Sequence, residues 1–306
     1  MLKWRELSKL HSTYIDALPR LVSAKDGRMH TTFKQFGAVT GRLSSENPNL
    51  QNIPTKGEYG LEIRKAFIAP KGYLILSADY SQIELRIAAV LSGDPKMIET
   101  FKRGEDIHSR TAAEVFNVPI EKVTKEMRRE AKTLNFGILY GMGARAFAQS
   151  SGVSFGEAQE FIHEYESDFA GLAKFMREMK EKARAHGYVE TLWGRKRYMA
   201  ELSSPNPGIR SAGERMAINM PIQGTAADII KSAMVFLDNK IGNEKDIKMI
   251  LQVHDELVFE VKKESAQKYA KIIKEGMENV VKLSVPIDAE VEVGDNWGEL
   301  RALPPT

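Results

Sequence analysis

Apolar residues recur along this chain with two periods, and the changes of period mark its elements. Over residues 2–22, Leu7, Leu10, Tyr14 and Leu18 fall on one helical face, with Pro19 near the end of the stretch. Residues 73–79 read differently. An apolar run, Tyr73-Leu74-Ile75-Leu76, has the length of a buried strand and leads to a carboxylate, Asp79. Helical spacing then resumes, with Ile83, Ile87, Val90 and Leu91 on one side and Ser81 and Glu84 at the spacing of a capping box. Gly93-Asp94-Pro95 stops that helix. From there to about residue 205 the pattern is mostly helical, with helices expected over 95–103, 107–116, 124–140, 144–150, 154–166 and 168–186. Residues 188–198 read as a short hairpin turning at Gly194, and a long helical stretch over 208–238 carries Pro221, which should kink or interrupt it. Strands return at 248–253 and 257–261 around His254-Asp255-Glu256, followed by a helix over 264–281 and a strand over 285–293. The order implies an α+β arrangement.

Composition narrows the classes. The 306 residues suffice for one large domain or two smaller ones with a real core. Lys and Arg number 44 against 41 Asp and Glu, and the net charge of +3 is too small to argue by itself for nucleic acid. There is no cysteine, which excludes disulfides and thiolate metal sites and suits a reducing compartment, so a cytoplasmic setting is expected. No run reaches ~18 consecutive apolar residues, so no membrane span is expected. The opening Met1-Leu2-Lys3-Trp4-Arg5-Glu6 is not followed by the apolar core of a signal peptide. A start in a charged amphipathic helix suggests a piece of something longer.

Candidate chemistry sits in four stretches. Asp79 lies where a buried strand turns into a helix; it is either a turn or cap residue or a cation ligand, because a lone buried charge is costly. His254-Asp255-Glu256 occupies a turn that usually takes Gly or Asn, and two adjacent acids against a core are unfavourable without a cation. In the helix 124–140, Met127, Ala131, Leu134 and Ile138 cluster within about 40° as a core stripe, while Arg128, Lys132, Phe136 and Tyr140 follow one another at i+4 on the opposite face. Two cations one turn apart suit a polyphosphate and an aromatic ring beyond them suits a stacked base; the alternative is a solvated basic face with packed rings. Gly137 inside that helix costs ~1 kcal/mol relative to alanine, which implies a close approach to the backbone there. No Walker motif or GxGxxG fingerprint is present. The loop 40–54 is rich in turn formers and amides; it is either a surface loop or a set of donors, Arg42, Asn49, Gln51 and Asn52, for a polyanion. The basic turn of the 188–198 hairpin reads as solvated.

Six blocks resemble a known family. DYSQIELR at 79–86, RREAKTLNFGILYG at 128–141 and QVHDEL at 252–257 are similar to the three signature motifs of family A DNA polymerases, the bacterial DNA polymerase I type. TGRLSSENPNLQNIP at 40–54, DIHSRTA at 106–112 and ERMAINMPIQGTAAD at 214–228 resemble its intervening blocks. The resemblance implies a palm with an antiparallel sheet and an inserted helical fingers subdomain: palm over 1–92, beginning at the end of a thumb, fingers over 93–205, and palm again over 206–306. It implies template-directed addition of dNTPs to a primer 3′-hydroxyl with two Mg²⁺ ions and release of pyrophosphate. Asp79 and Asp255 resemble the metal carboxylates, with the Tyr80 carbonyl as a further ligand and Glu256 as a weaker one. Arg128 and Lys132 resemble the triphosphate clamp, with His108 and Gln82, and Lys132 also the general acid toward pyrophosphate. Phe136 would stack on the nucleotide and, as Phe rather than Tyr, discriminate against dideoxynucleotides; Glu84 resembles a gate against the ribose 2′-hydroxyl, and Tyr140 a stacking residue beside the templating base. Arg42, Arg215, Asn219, Gln223 and His254 resemble residues that touch primer-template DNA in the minor groove. Most of the thumb and the nuclease domains of full-length relatives are absent. That leaves open a truncation or a split polymerase whose missing parts come from a separate chain. Two other readings stay open: a primer-template-binding fragment inactive without those parts, and a metal-dependent nuclease, which would have no use for the Arg128–Tyr140 face.

Overall fold

The computed structural model of the chain describes residues 2–55 and 59–303. The chain divides into two compact units. The first comprises Met1–Ser81, Ala227–Val280 and Asp288–Thr306, and the second Gln82–Ala226 and Val281–Ile287. The divisions fall at the end of the Asp79 strand and inside the helix Pro207–Ile241.

The first unit is built on a five-stranded sheet. We label its strands β1 (Tyr73–Tyr80), β2 (Ile247–Val253), β3 (Glu256–Lys262), β4 (Ala289–Gly294) and β5 (Arg301–Ala302); their order is β2-β3-β1-β4-β5. Every neighbouring pair is antiparallel. The apolar run makes β1 central because both its faces are covered: Ile75, Leu76, Ser77 and Ala78 are all buried. Ile75 packs in a cluster with Tyr14, Leu18, Leu50, Ile53, Val258 and Trp297. On the other face the helix Ala266–Asn279 contacts β1, β3 and β4. Its buried positions Ala266, Tyr269, Ala270, Ile273 and Met277 follow a helical stripe, and the Tyr80 hydroxyl donates to the Met277 carbonyl at 2.8 Å. The N-terminal stretch is helical in pieces, Leu2–Leu10, a wider turn at His11–Ile15 and a tight one at Pro19–Leu21. A cavity of about 1110 Å³ lined by Trp4, Tyr14, Ile63 and Phe67, among others, lies in this unit and includes none of Asp79, Asp255 and Glu256.

The second unit is helical: Ile83–Ser92, Pro95–Lys102, Ile107–Val115, Lys125–Leu139, Ala144–Ser151, Phe155–Asp168, Ala170–His186 and the first part of Pro207–Ile241, with a hairpin Tyr188–Glu190/Lys196–Tyr198. Side-chain caps fix several starts: Asp94 accepts from the Met97 amide, Asp106 from Ser109, Thr124 from Met127, and Ser154 and Glu157 form a reciprocal capping box.

Three expectations are corrected here. Ser81 and Glu84 form no capping box. The helix starts at Ile83 behind Gln82, which has φ 54° and makes no side-chain cap. The Ser81 amide instead donates to the Asp288 carbonyl at 2.9 Å, which takes the residue out of capping position. Pro221 does not interrupt its helix, which runs from Pro207 to Ile241. The close approach at Gly137 comes from the chain itself: a Cβ there would lie 2.8 Å from Met142 Sδ.

Candidate active site

In the first unit the acids converge at the end of β1. Register places Asp79 directly opposite Glu256 on β3 and Glu290 on β4, so three carboxylates stand in a row across three strands. Like charges directly opposite in an antiparallel pair destabilise it. Asp255 joins them through its main chain, its carbonyl accepting from the Tyr80 amide at 3.1 Å. Asp79 is exposed by area, yet enough protein surrounds it to strip hydration. That burial and the charges of Glu256, Asp255 and Glu290 push its carboxyl up to about 7.

The turn that presents Asp255 is strained in a definite way. Val253 pairs with Glu256, leaving His254 and Asp255 as a two-residue loop. His254 takes φ 54°, where such loops usually have glycine. Gln252, buried, anchors it by donating from Nε2 to the His254 carbonyl at 2.5 Å, and Gln51 Nε2 donates to the Gln252 carbonyl and Oε1 at 3.2 and 3.0 Å. Burial, Arg42 and Arg64 hold the His254 imidazole below its ordinary range against Glu256. Arg42 lies 4.0 Å from Asp255 Oδ1. Glu256 is held by the chain: its Oε1 accepts from Ser77 Oγ at 2.6 Å and from Trp297 Nε1 at 2.9 Å. Arg64, stacked 4.0 Å over the Trp297 ring, lies 4.0 Å from its other oxygen. Of the loop residues, Asn49 accepts from the Gln51 amide and so caps the turn Leu50–Asn52, and the Asn52 carbonyl accepts from Tyr14.

The donor set fits a hard divalent cation: oxygen ligands only, with one carboxyl raised by burial and by its neighbours' charge. Among the described residues no three His, Cys, Asp or Glu side chains are grouped tightly enough to hold a metal by themselves. Mg²⁺ does not require this, since it binds through one or two carboxylates, waters and substrate phosphates.

In the second unit the helix Lys125–Leu139 presents the face expected of it. Arg128 and Lys132 are exposed, Phe136 is half-buried, and Ala131, Leu134 and Ile138 are buried behind them. Arg128 makes a bidentate pair with Asp106, from Nε at 3.0 Å and from a terminal nitrogen at 2.7 Å. Burial alone would raise the Asp106 carboxyl, but Arg128 and the Ser109 amide outweigh it and hold it at about 2. His108 is buried, its ring 5.7 Å from Phe136. Burial, with Arg128 and Lys132 acting against Asp106, pushes its imidazole down to about 4, so it is neutral at pH 7. The Phe136 and Tyr140 rings lie 6.5 Å apart and 17° from parallel, and the Tyr140 hydroxyl donates to Glu84, which is buried. Arg215, Asn219 and Gln223 share one helical face at i, i+4 and i+8. Arg215 packs on Gly141, whose Cβ would meet its Cγ at 2.6 Å, and Asn219 Oδ1 is a buried acceptor without a partner.

Four residues escaped the sequence reading. Glu290 is legible only as the polar half of an alternating strand; its pairing with Asp79 is a long-range fact. Arg64 carries no local signal. Asp106 begins a helix inside the DIHSRTA block, and Asn135 is a polar residue on an otherwise apolar stripe, a signal that was available.

The family model for DNA polymerase family A matches residues 1–299, and the chain belongs to that family. It is 50% identical over 297 residues to the thermostable DNA polymerase I of Thermus aquaticus, covering 97% of this chain and 36% of the relative. It is 50% identical over 301 residues to DNA polymerase I of Deinococcus radiodurans, covering 98% and 31%. The chain thus spans about a third of the length of these curated relatives. Among solved structures it is similar to the POL domain of Pol1 from M. smegmatis in complex with DNA primer-template and dNTP. The TM-score is 0.92 and the identity 45%, over 97% of this chain and 52% of that one. No helix among the described residues is long and apolar enough to cross a membrane.

Proposed function

We propose that this chain is the palm-and-fingers portion of a cytoplasmic, template-directed DNA polymerase, the first unit acting as palm and the second as fingers. It would add dNTPs to the 3′-hydroxyl of a primer annealed to a template and release pyrophosphate. The observation that carries the reading is the row Glu256, Asp79 and Glu290 with Asp255 beside it, a concentration of negative charge that a cation relieves. Membership of the family and the likeness to a polymerase domain holding primer-template and dNTP support it.

Asp79 and Asp255, with the Tyr80 carbonyl, would hold two Mg²⁺ ions, with Glu256, tied to Ser77 and Trp297, as a weaker ligand. Bound there, the ions supply Lewis-acid activation of the primer hydroxyl and stabilise charge on the leaving group. The remaining work falls to the chain's own side chains. Arg128 and Lys132 bind the triphosphate, with His108 and Gln82, and Lys132 donates a proton to the departing pyrophosphate. Phe136 stacks on the base and disfavours dideoxynucleotides, Glu84 crowds a ribose 2′-hydroxyl, and Tyr140 stacks beside the templating base. Arg42, Arg215, Asn219, Gln223 and His254 contact primer-template DNA in the minor groove, probing pair geometry because its code is degenerate, and Asn49, Gln51 and Asn52 donate to the DNA backbone. Any thumb or nuclease domain would come from outside these residues, in the same chain or another.

Primer extension with Mg²⁺ and dNTPs tests this. Extension that vanishes in Asp79→Ala is expected. Tight primer-template binding without extension would instead make the chain a binding fragment that depends on another part, and shortening of the primer would make it a nuclease.

A further inference from the structure

Asn135 is wholly buried on the core side of the helix that carries Arg128 and Lys132. A polar side chain is stable there only if its groups are paired, and here they form a chain. Thr111, also wholly buried, places Oγ1 2.8 Å from the Ile107 carbonyl one turn back. A carbonyl only accepts, so this shorter contact gives the hydroxyl hydrogen a partner ahead of Asn135 Oδ1 at 3.1 Å. The Thr111 oxygen can then accept, and the Asn135 amide lies against it with Nδ2 at 3.0 Å and Oδ1 at 3.1 Å. The second hydrogen of the same amide meets His108 Nδ1, also at 3.0 Å. An N–H donor meets a bare ring nitrogen, so Nδ1 carries no proton and the neutral ring holds its one proton on Nε2. Among the described residues nothing hydrogen-bonds to Nε2. The opposite amide orientation would put the proton on Nδ1 but would leave one buried amide hydrogen without an acceptor, because among the described residues the other amide position has only Thr111 Oγ1 within reach.

We infer that Asn135 is a positioning residue that, paired with Thr111, fixes His108 as the Nε2–H tautomer, so that the ring offers an uncharged N–H donor to a phosphate oxygen of the incoming nucleotide. This rests on the nucleotide-binding reading of the Arg128–Lys132 face. The donor adds a directed contact without a third positive charge, so it orients the triphosphate while adding less to the hold on departing pyrophosphate than another cation would.

Nitrogen NMR of the full chain labelled with ¹⁵N-histidine reads the tautomer directly, the His108 ring being assigned by its loss in His108→Gln. The expected wild-type ring is bare at Nδ1 and protonated at Nε2, and its Nε2–H resonance moves on titration with dATP and Mg²⁺. Asn135→Leu, close in volume, should let the ring sample both tautomers and raise KM for dNTP about twofold, since only the Nε2–H fraction donates, with kcat little changed. Asn135→Asp should protonate both ring nitrogens at neutral pH and give KM a new pH dependence. A wild-type ring protonated at Nδ1 overturns the inference, and this measurement needs no variant at Asn135. So does an Nε2–H that ignores dATP while the chain extends primers, or an unchanged KM in folded Asn135→Leu. If the chain fails to extend primers yet Nε2–H responds to dATP, the polymerase reading falls and the tautomer assignment stands.

Discussion

Removing one hydroxyl, in Tyr140→Phe, should weaken discrimination between dNTPs and rNTPs. Glu84 is only 5% exposed and accepts a hydrogen bond from Tyr140. Losing a bond to a charged acceptor costs about 1.5–3 kcal/mol, and because Glu84 stays buried in its surroundings the lower figure applies. If Glu84 acts by crowding the sugar 2′ position, that loosening should lower the dNTP-to-rNTP ratio of kcat/KM about tenfold. Glu84→Ala, which removes the obstacle, should lower it further. Phenylalanine keeps the ring, so the near-parallel contact with Phe136 survives and the change reports on the anchor alone. The decisive measurement is the double variant in single-nucleotide primer extension with matched dNTP and rNTP. An anchor that acts through Glu84 adds little once Glu84 is gone, so Tyr140→Phe/Glu84→Ala should match Glu84→Ala. Strictly additive losses would show that Tyr140 acts on the nucleotide by another route and would refute the coupling.

Two further outcomes follow from the charges. Asp79 has a folded pKa of about 7 against 3.8, so its ionisation costs the metal-free protein nothing below about pH 4 and its full amount above pH 7. The shift alone corresponds to about 4 kcal/mol, which its solvent access reduces to roughly 1–2 kcal/mol. Asp79→Asn should therefore raise the melting temperature at pH 8 in EDTA while abolishing extension, and a lower melting temperature would contradict the charge-crowding account. Asp106 has the opposite sign: held at about 2 against 3.8, it contributes fully above pH 4 and loses that contribution as the pH falls toward 2. The urea midpoints of wild type and Asp106→Asn should thus converge as the pH falls from about 4 to about 2; a constant gap would mean the pair with Arg128 adds no stability.

Local chemistry made much of this fold legible. The apolar run 73–76, the amphipathic stripe through Ala131, Leu134 and Ile138, and the glycine stops at Gly93 and Gly187 are patterns within one element, and each appears where the sequence places it. What depended on distant partners was not legible. Ser81 and Glu84 have the spacing of a cap, but the Ser81 amide pairs with Asp288 and Glu84 accepts from Tyr140. Pro221 satisfies a local rule for breaking a helix, yet Met220 and Ile222 beside it are buried and packing holds the helix through it. The site divides the same way. Asp79, Asp255 and the Arg128–Tyr140 face are visible in their own motifs, whereas Glu290 and Arg64 reach the acids only through strand register and stacking on Trp297.

Strand β1 takes both its partners from late in the chain: β3 begins at Glu256 and β4 at Ala289. During synthesis at about 5–20 residues per second, β1 therefore waits on the order of 10–40 s for its second neighbour. For that interval its unpaired edges are those of an aggregation-prone strand, while the helices of residues 83–186 can form from contacts nearer in sequence. The acids that crowd Asp79 are likewise kept apart until the sheet closes, Glu256 arriving with β3 and Glu290 last, with β4.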